Sequence, residues 1–587
     1  MVKIYSVLFS MLFVSASAQE VQWQKDIKSS TQDFLSNLSV TPDGQFLISG
    51  SSIQPPKMTS VSSSGGARQN NGYDFHLVKL DQDGREVWEK FFQGQNHDFL
   101  TATVATQEGG FLLGGTTLSP QGLDKKGRAF GGSDIWLIKI AENGTEEWQR
   151  TIGTAGNDEA RAVVQSTDLG YFVAGSIQDK ETGYGSKDVW LLKLDKSGKP
   201  TKEIILGGNG LDEVEKMIPT ADGGALIGIY SRSGKFSEKN ISSASKVNNS
   251  SPNAKESKTK DRTLSRNASF FTDEKDGAEP TGKNPRSTGI STPTADKGNF
   301  TPVPRTSFAK DTENFGEGDF WIIKLDKEGN VEWQQNLGGK GDDHIRTMAL
   351  TGSGFIVGGE SRSENSGNKT SGTEEGTDVW IIALDKNGNQ QFQKSYSFGN
   401  RDVLKSLNTV WDKKGTASKG YLLGGYTQAE GKREKDDETF WMLHLDEKGE
   451  EVWRKHIEGK SREKEERLVS ATMLGDGSYV LAGTSAKDFG KENWKVVKLG
   501  DSQVKELIEK QEIRIYPNPV ADYCYVEIGF DFKEATIELY DMGGRLLDTV
   551  KTKNRVTKIN TQPLIQGVFL AVVKTETKTV NAKIIKK

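Results

Sequence analysis

One cysteine, Cys524, in 587 residues excludes a disulfide-stapled scaffold and any metal site built on several thiolates. Hydrophobic residues make up only 34 % of the chain, below the usual share for a globular protein. Long apolar runs are missing too. The run Ile4 to Val14 is about half the ~20 residues that a membrane-spanning helix needs. Charge of neither sign dominates, since 77 basic and 81 acidic side chains leave a formal charge of −4. That lacks the basic surplus of a general nucleic-acid binder. The sequence has no Gly-x-Ser-x-Gly elbow, no phosphate-binding loop and no His-Glu-x-x-His pair, so the plainest hydrolase, nucleotidase and zinc-protease signatures are absent. Of the five histidines, His97 beside Asp98 and His344 beside Asp343 are a weak metal or acid–base candidate. Asp81-Gln82-Asp83-Gly84 lacks the later ligands of a calcium loop and reads as a hairpin turn. No cofactor is expected.

What the chain has in abundance is glycine, 65 residues, and a motif that recurs. Asp134-Ile-Trp136, Asp188-Val-Trp190, Asp319-Phe-Trp321, Asp378-Val-Trp380, Phe440-Trp441, Trp494 and, with histidine in place of tryptophan, Asp74-Phe-His76 are seven copies of one strand. Where a second aromatic is present it follows after 12 residues, as Trp148 follows Trp136. A glycine-flanked strand such as Gly109-Gly-Phe-Leu-Leu-Gly-Gly115 precedes each copy. The copies lie 53 to 61 residues apart, except for one gap of 131. A fixed period of this size marks a propeller or a solenoid. Four short strands per unit, arranged radially, favour the propeller. The expected fold is therefore all-β, a seven-bladed β-propeller over residues 19–500. The Trp23 strand either completes the last blade or begins the first.

Eleven of the 12 tryptophans occupy the two repeated registers, which points to packing between units; irregular placement would suit sugar stacking better. An acidic residue recurs as well: Asp33, Asp98, Asp158, Asp212, Asp343, Asp402 and Glu466, five of them eleven residues before a glycine of the next strand. These side chains either cap backbone donors between strands or form a ring of carboxylates at a channel mouth, for a cation or a basic ligand. Residues 232–315 interrupt the fourth unit with a Ser-, Thr-, Lys- and Pro-rich stretch that lacks apolar periodicity. Such a stretch is expected to be disordered, as a tolerated insertion, a lid or a spacer. The other units vary in length at the same junction, so the variable loops gather on one face and ligand contacts are expected there.

The two ends carry addresses. Lys3, the apolar run and Ala16-Ser17-Ala18 read as a signal peptide over residues 1–18. After a linker at 501–511, residues 512–587 read as short alternating strands of a small β-sandwich. Pro517-Asn518-Pro519 forces a turn, and Asp541-Met542-Gly543-Gly544-Arg545 reads as a hairpin turn. Here the motifs Tyr516-Pro517-Asn518-Pro519, Asp541 with Gly543-Gly544-Arg545, Gly567-Val568-Phe569 and the terminal Lys586-Lys587 resemble the type A C-terminal sorting domain of the Bacteroidetes type IX secretion system. Phe569 stands where that family usually has tyrosine. The repeats before it resemble the Trp- and Gly-rich propeller-like repeats of exported Bacteroidetes proteins. The resemblance implies passage through the periplasm, the type IX machinery as partner, and a cargo attached to surface lipopolysaccharide or released. The expected function is a non-enzymatic binding module for a glycan or protein. The alternatives are a polysaccharide hydrolase or lyase, and a passive surface component.

Overall fold

The structure is a computed structural model that describes residues 20–28, 33–41, 43–53, 72–178, 183–235, 305–374, 376–399, 401–412, 415–428, 439–457, 465–474, 476–486, 493–507, 512–530 and 532–587. The expected signal peptide, 1–18, and most of the insertion, 236–304, lie outside them. Among the described residues the chain is all-β apart from one six-residue helix, Ser502–Leu507.

Ahead of that helix the strands form seven sheets, each with four antiparallel strands. In the second sheet Asp98–Ala105, Phe111–Thr117, Asp134–Ile140 and Glu146–Ile152 pair in that order. The glycine-flanked strand is thus second, the Asp-x-Trp strand third, and the strand bearing the second aromatic is the outer fourth. Glu20–Ile27 starts no sheet of its own. It pairs with Asn493–Gly500, with Ile27 opposite Trp494, and completes the seventh sheet. The leading strands are Phe34–Val40, Asp98–Ala105, Asp158–Gln165, Asp212–Pro219, Asp343–Leu350, Arg401–Trp411 and Glu465–Met473. Each lies against the next, and the seventh lies against the first. The arrangement is propeller-like and closes on itself.

The tryptophans hold neighbouring sheets together. Trp136, Trp190, Trp321, Trp380, Trp441 and Trp494 are at most 1 % exposed, and each sits in a core drawn from two consecutive sheets. Burial leaves their faces unavailable for sugar stacking. Burying ~150–250 Å² of indole contributes a gross ~4–6 kcal/mol apiece. Three of these indoles donate to a glutamine on the adjacent outer strand: Trp136 to Gln149 (3.1 Å), Trp321 to Gln334 (2.9 Å) and Trp380 to Gln393 (3.1 Å). Where His76 replaces tryptophan, Glu89 replaces the glutamine, 2.8 Å away. The second-register rings are half-buried and reach across to the following sheet. Trp23, Trp88 and Trp333 donate to Gln82 O, Glu142 O and Lys386 O in the next hairpin turns (3.0, 3.1 and 3.0 Å). A Cβ on Gly84 would stand 2.7 Å from the Trp23 ring, and Gly84 has φ +78°. Glycine is required there twice over.

Two expectations need correction. The end of the insertion is ordered: Arg305–Ala309 pairs parallel with Pro200–Gly207 as a fifth strand of the third sheet. Arg305 lies over the Trp190 ring at 5.3 Å and pairs with Glu203 at 3.0 Å, contacts that composition alone does not reveal. Within 501–511 the chain also packs, because Val504 of the helix is fully buried against Tyr479 and Leu499.

Residues 512–587 form a three-stranded sheet, Ile513–Tyr516, Tyr523–Ile528 and Val556–Asn560. They also form a four-stranded one, with Leu546–Thr552, Ala535–Asp541, Gly567–Thr575 and Thr579–Lys586 in that order. The two share one core, to which Cys524, Val526, Ile537, Leu539, Phe569 and Ile584 contribute. Burial pushes the Cys524 thiol up to about 12, so it stays a protonated, inert core residue.

Candidate functional site

The recurring acids begin the leading strands. Asp98, Asp158, Asp212, Asp343 and Asp402 are 0 % exposed and Asp33 is 2 % exposed. The Glu466 side chain lies outside the described residues. These carboxylates accept from the backbone and from neighbouring hydroxyls. Asp212 takes Gly208 N–H (2.8 Å) and the hydroxyls of Ser231 (2.6 Å) and Ser233 (2.7 Å). Asp343 takes Gly339 N–H (2.6 Å) and Ser363 Oγ (2.8 Å), and Asp402 takes Phe398 N–H (2.7 Å) and Thr427 Oγ1 (2.6 Å). Across sheets two to five the pairing continues to the aspartate of Asp-x-Trp, as Asp98 opposite Thr117 opposite Asp134, and Asp212 opposite Ser231 opposite Asp319. Desolvation dominates their titration and outweighs these bonds, pushing Asp98 up to about 7 and Asp158, Asp188, Asp319 and Asp402 to about 6.

Three buried lysines answer this charge. Lys125, Lys310 and Lys369 stand nine residues before Asp134, Asp319 and Asp378. Each ammonium lies near both carboxylates of its sheet, Asp212 and Asp319 in the case of Lys310. Burial is nonetheless the larger effect and brings Lys310 down to about 8. The periodic Lys-x8-Asp spacing was legible in the sequence and marks where the variable loops are tied down.

A different set of residues breaks the repeat. Every leading strand carries a β-bulge, and the skipped residues are Ser36, Thr101, Arg161, Glu215, Arg346, Lys405 and Val469. Each stands three places after the recurring acid. A bulge re-aims one side chain out of the ladder, and here re-aimed chains reach toward a neighbouring leading strand. Ser36 donates to Leu100 O, Thr101 to Ala160 O (2.7 Å), and Arg346 Nη1 lies 3.5 Å from Glu215 Oε2. The bulged residues therefore form the inner rim of the closed cycle. Only the three-residue offset could have found them, and unlike side chains at that offset hide it.

On sheets three to six the rim is an ion-pair network. Lys187 Nζ bridges Glu159 (3.1 Å) and Glu213 (2.8 Å), and Arg161 pairs with Glu159 (2.8 Å). Arg346 holds Glu360 at 2.6 Å and Glu215 at 3.5 Å, while His344 Nε2 approaches Glu215 to 3.1 Å and its ring stacks on Tyr230 at 4.2 Å. Burial alone would raise the Glu215 carboxyl, but His344, Arg346 and Arg161 together hold it down at about 2. Glu159 and Glu360 are lowered in the same way, against desolvation, by Arg161 with Lys187 and by Arg346.

On sheets one and two the same end of the rim is aromatic. Phe34 and Phe99 occupy the register of Glu159 and Glu213. Tyr73 lies 4.9 Å from Phe34 and 5.5 Å from Phe99, and His97, exposed, stacks on Phe99 at 5.9 Å. His97 and His344 thus serve separate clusters. Among the described residues no group of three or more His, Cys, Asp or Glu side chains is placed to hold a metal ion.

In the C-terminal region the quoted motifs converge on the chain end. Asn518 donates from Nδ2 to Lys583 O (2.8 Å) and accepts from Ile585 N–H (2.9 Å). Val520 N–H donates to Ile585 O (2.7 Å), Lys587 N–H to Val520 O (3.1 Å), and the Lys586 ammonium to Ala521 O. The Tyr516–Pro519 turn, whose two X–Pro bonds are cis, thereby covers the outer edge of the last strand, a position otherwise open to pairing. Asp541 caps its hairpin by accepting Gly543 and Arg545 N–H (3.0 and 2.9 Å), and Gly544 takes φ +82°. Gly567 opens its strand opposite Lys586. Lys558 lies 3.4 Å from Glu142 in a hairpin turn of the second sheet.

Residues 514–587 match the family model described as the secretion system C-terminal sorting domain. No curated protein matches the chain. Among solved structures it is similar to PorZ, a bacterial surface component of the type-IX secretion system of Porphyromonas gingivalis, at 10 % identity over 94 % of this chain and 81 % of that one, TM-score 0.17. It is also similar to the polysaccharide lyase Uly1 (9 % identity, 81 % and 98 % covered, TM-score 0.37) and to YCF48 bound to D1 peptide (7 %, 81 % and 94 %, 0.36). At such TM-scores the fold rests on the strand pairing itself. The sorting domain marks the chain for export by the type IX system to the cell surface or the medium.

Proposed function

We propose that this exported chain is a non-enzymatic binding protein for a glycan or protein. In this reading a signal peptide at residues 1–18 sends it to the periplasm. The seven closed sheets (19–500) are a seven-bladed propeller that carries the ligand, and a C-terminal β-sandwich (512–587) engages the type IX machinery before attachment to lipopolysaccharide or release. The seven sheets, each built on four antiparallel strands, and the closed cycle of leading strands support the propeller. The binding role rests on one observation: in a scaffold that repeats its Trp, Gly and Asp positions, the residues that differ from sheet to sheet converge on the inner rim.

Glycoside hydrolysis by a carboxyl pair needs one carboxyl kept protonated near neutral pH within reach of substrate. The rim carboxylates Glu159, Glu215 and Glu360 are all held below the ordinary range. The carboxyls that are raised, such as Asp98 and Asp158, are fully buried. The recurring acids are read accordingly as caps of the strand entrances and not as a ligand-facing ring. Incubating the mature chain with polysaccharide and protein arrays, with product analysis on each bound glycan, tests the reading; release of shortened or unsaturated products would refute it. For export, deletion of residues 512–587 is expected to leave the chain in the periplasm, and undiminished surface display after that deletion would refute the sorting role.

A further inference from the structure

We propose that the rim binds an uncharged glycan, a chain of neutral pyranose rings; this rests on the binding reading above. Charge comes first. The network sets Arg161, Lys187 and Arg346 against Glu159, Glu213, Glu215 and Glu360, and Lys405 also acts on Glu360. Among the described Lys, Arg and Glu side chains of this network four cations meet four anions, and the His344 imidazole is already committed to Glu215 at 3.1 Å, so no lysine or arginine is left over for a uronate, sulfate or phosphate. An acidic polysaccharide would have to break these pairs and leave carboxylates uncompensated in a partly buried place.

A hydroxyl-rich neutral ligand loses nothing there. The ionised carboxylates accept, and the guanidinium groups donate, charge-assisted hydrogen bonds to sugar hydroxyls. Their mutual pairing fixes the geometry in advance, which lowers the ordering cost of binding. The adjoining arc on sheets one and two supplies apolar contact, since Tyr73, half-buried, and His97, exposed, lie beside Phe34 and Phe99. An aromatic face is electron-rich and receives the C–H face of a pyranose. A few convergent polar groups beside aromatic walls are the usual composition of a small-ligand site. The cluster of Phe34, Tyr73, His97 and Phe99 is made by the first two sheets alone, whereas the structural rings of this chain recur around the cycle.

The test uses the mature full-length chain on immobilised gluco-, xylo- and manno-oligosaccharides, polygalacturonate, a sulfated galactan and a protein array, at about 50 and about 500 mM NaCl. The expected result is binding to at least one neutral oligosaccharide, changed less than about twofold by salt and weakened about tenfold or more by Tyr73→Ala. Tyr73→Phe should retain it, and an unchanged unfolding midpoint should show that both variants fold. Binding only to the charged polymers, with a steep loss in high salt, overturns the inference and leaves the binding reading standing, as does binding only to protein. Neutral binding that Tyr73→Ala leaves intact overturns the inference by placing the ligand elsewhere. Cleavage of a bound glycan overturns the binding reading itself, and silence on every surface overturns both.

Discussion

Replacing Arg346 with methionine is the sharpest test of the rim's electrostatics. The guanidinium holds Glu360 at 2.6 Å and Glu215 at 3.5 Å, and all three side chains are 18 % exposed or less. Removing one partner of a buried pair leaves the other charge uncompensated and costs about 3–5 kcal/mol. A second route gives a similar size. Moving Glu215 from its ordinary 4.5 to about 2 is worth about 3 kcal/mol at 1.36 kcal/mol per tenfold, shared among His344, Arg346 and Arg161. The sign follows from the direction of the shift. A carboxyl lowered in the folded state stabilises above its unfolded value and loses that contribution as pH falls toward 2. The deficit of Arg346→Met should therefore be about 3–5 kcal/mol at neutral pH and shrink as pH falls from about 4.5 toward 2, the interval over which first the unfolded and then the folded Glu215 takes up its proton. Adding Glu215→Gln and Glu360→Gln should recover most of it. Urea unfolding at several pH values measures this. A deficit below about 1 kcal/mol at neutral pH, or one independent of pH, would show that the pairs do not matter as argued.

Trp321→Ala should cost about 3–5 kcal/mol and Trp333→Ala clearly less, because Trp321 is fully buried and Trp333 half-buried; equal unfolding midpoints would contradict the burial argument. Gln334→Leu should cost about 1–2 kcal/mol by stranding the Trp321 indole N–H, whose acceptor it supplies at 2.9 Å, and a thermal melt reads it directly. Asp158, Asp188, Asp319 and Asp402 are raised to about 6 and Asp98 to about 7, so the folded chain takes up protons before the unfolded one. Its thermal midpoint should rise as pH falls from about 8 to about 5. Asp158→Asn should flatten that slope, and a midpoint that falls over this range refutes the assignment. Asn518→Ala, which loses both bonds to the last strand, should lower surface display without lowering synthesis; unchanged display on fractionation would make that turn dispensable.

The framework was legible because it repeats. Trp136 and its counterparts, the glycine-flanked strands and the turn at Gly84 each answer one packing demand made six or seven times, and periodicity exposes such demands. The N-terminal strand was ambiguous, since the Trp23 strand could begin the first unit or complete the last; only pairing with Asn493–Gly500 decides it. The rim was illegible for the opposite reason. Arg161, Glu215 and Arg346 share an offset but not a chemistry, and a bulge, which needs two strands to define it, is what aligns them. Arg305–Ala309 was hidden by its polar composition and by a partner about a hundred residues away. In the C-terminal region Leu546–Thr552 and Thr579–Lys586 show little alternation, because much of their side-chain surface faces water.

Hydroxyl-radical footprinting of the mature chain, with and without a bound oligosaccharide, addresses the central claim most directly. If the rim is the site, Tyr73 and His97 lose reactivity on binding while the outer rings Trp88 and Trp333 keep theirs. Protection confined to the outer strands, with Tyr73 and His97 unchanged, would mean that the residues breaking the repeat are not the ones that bind.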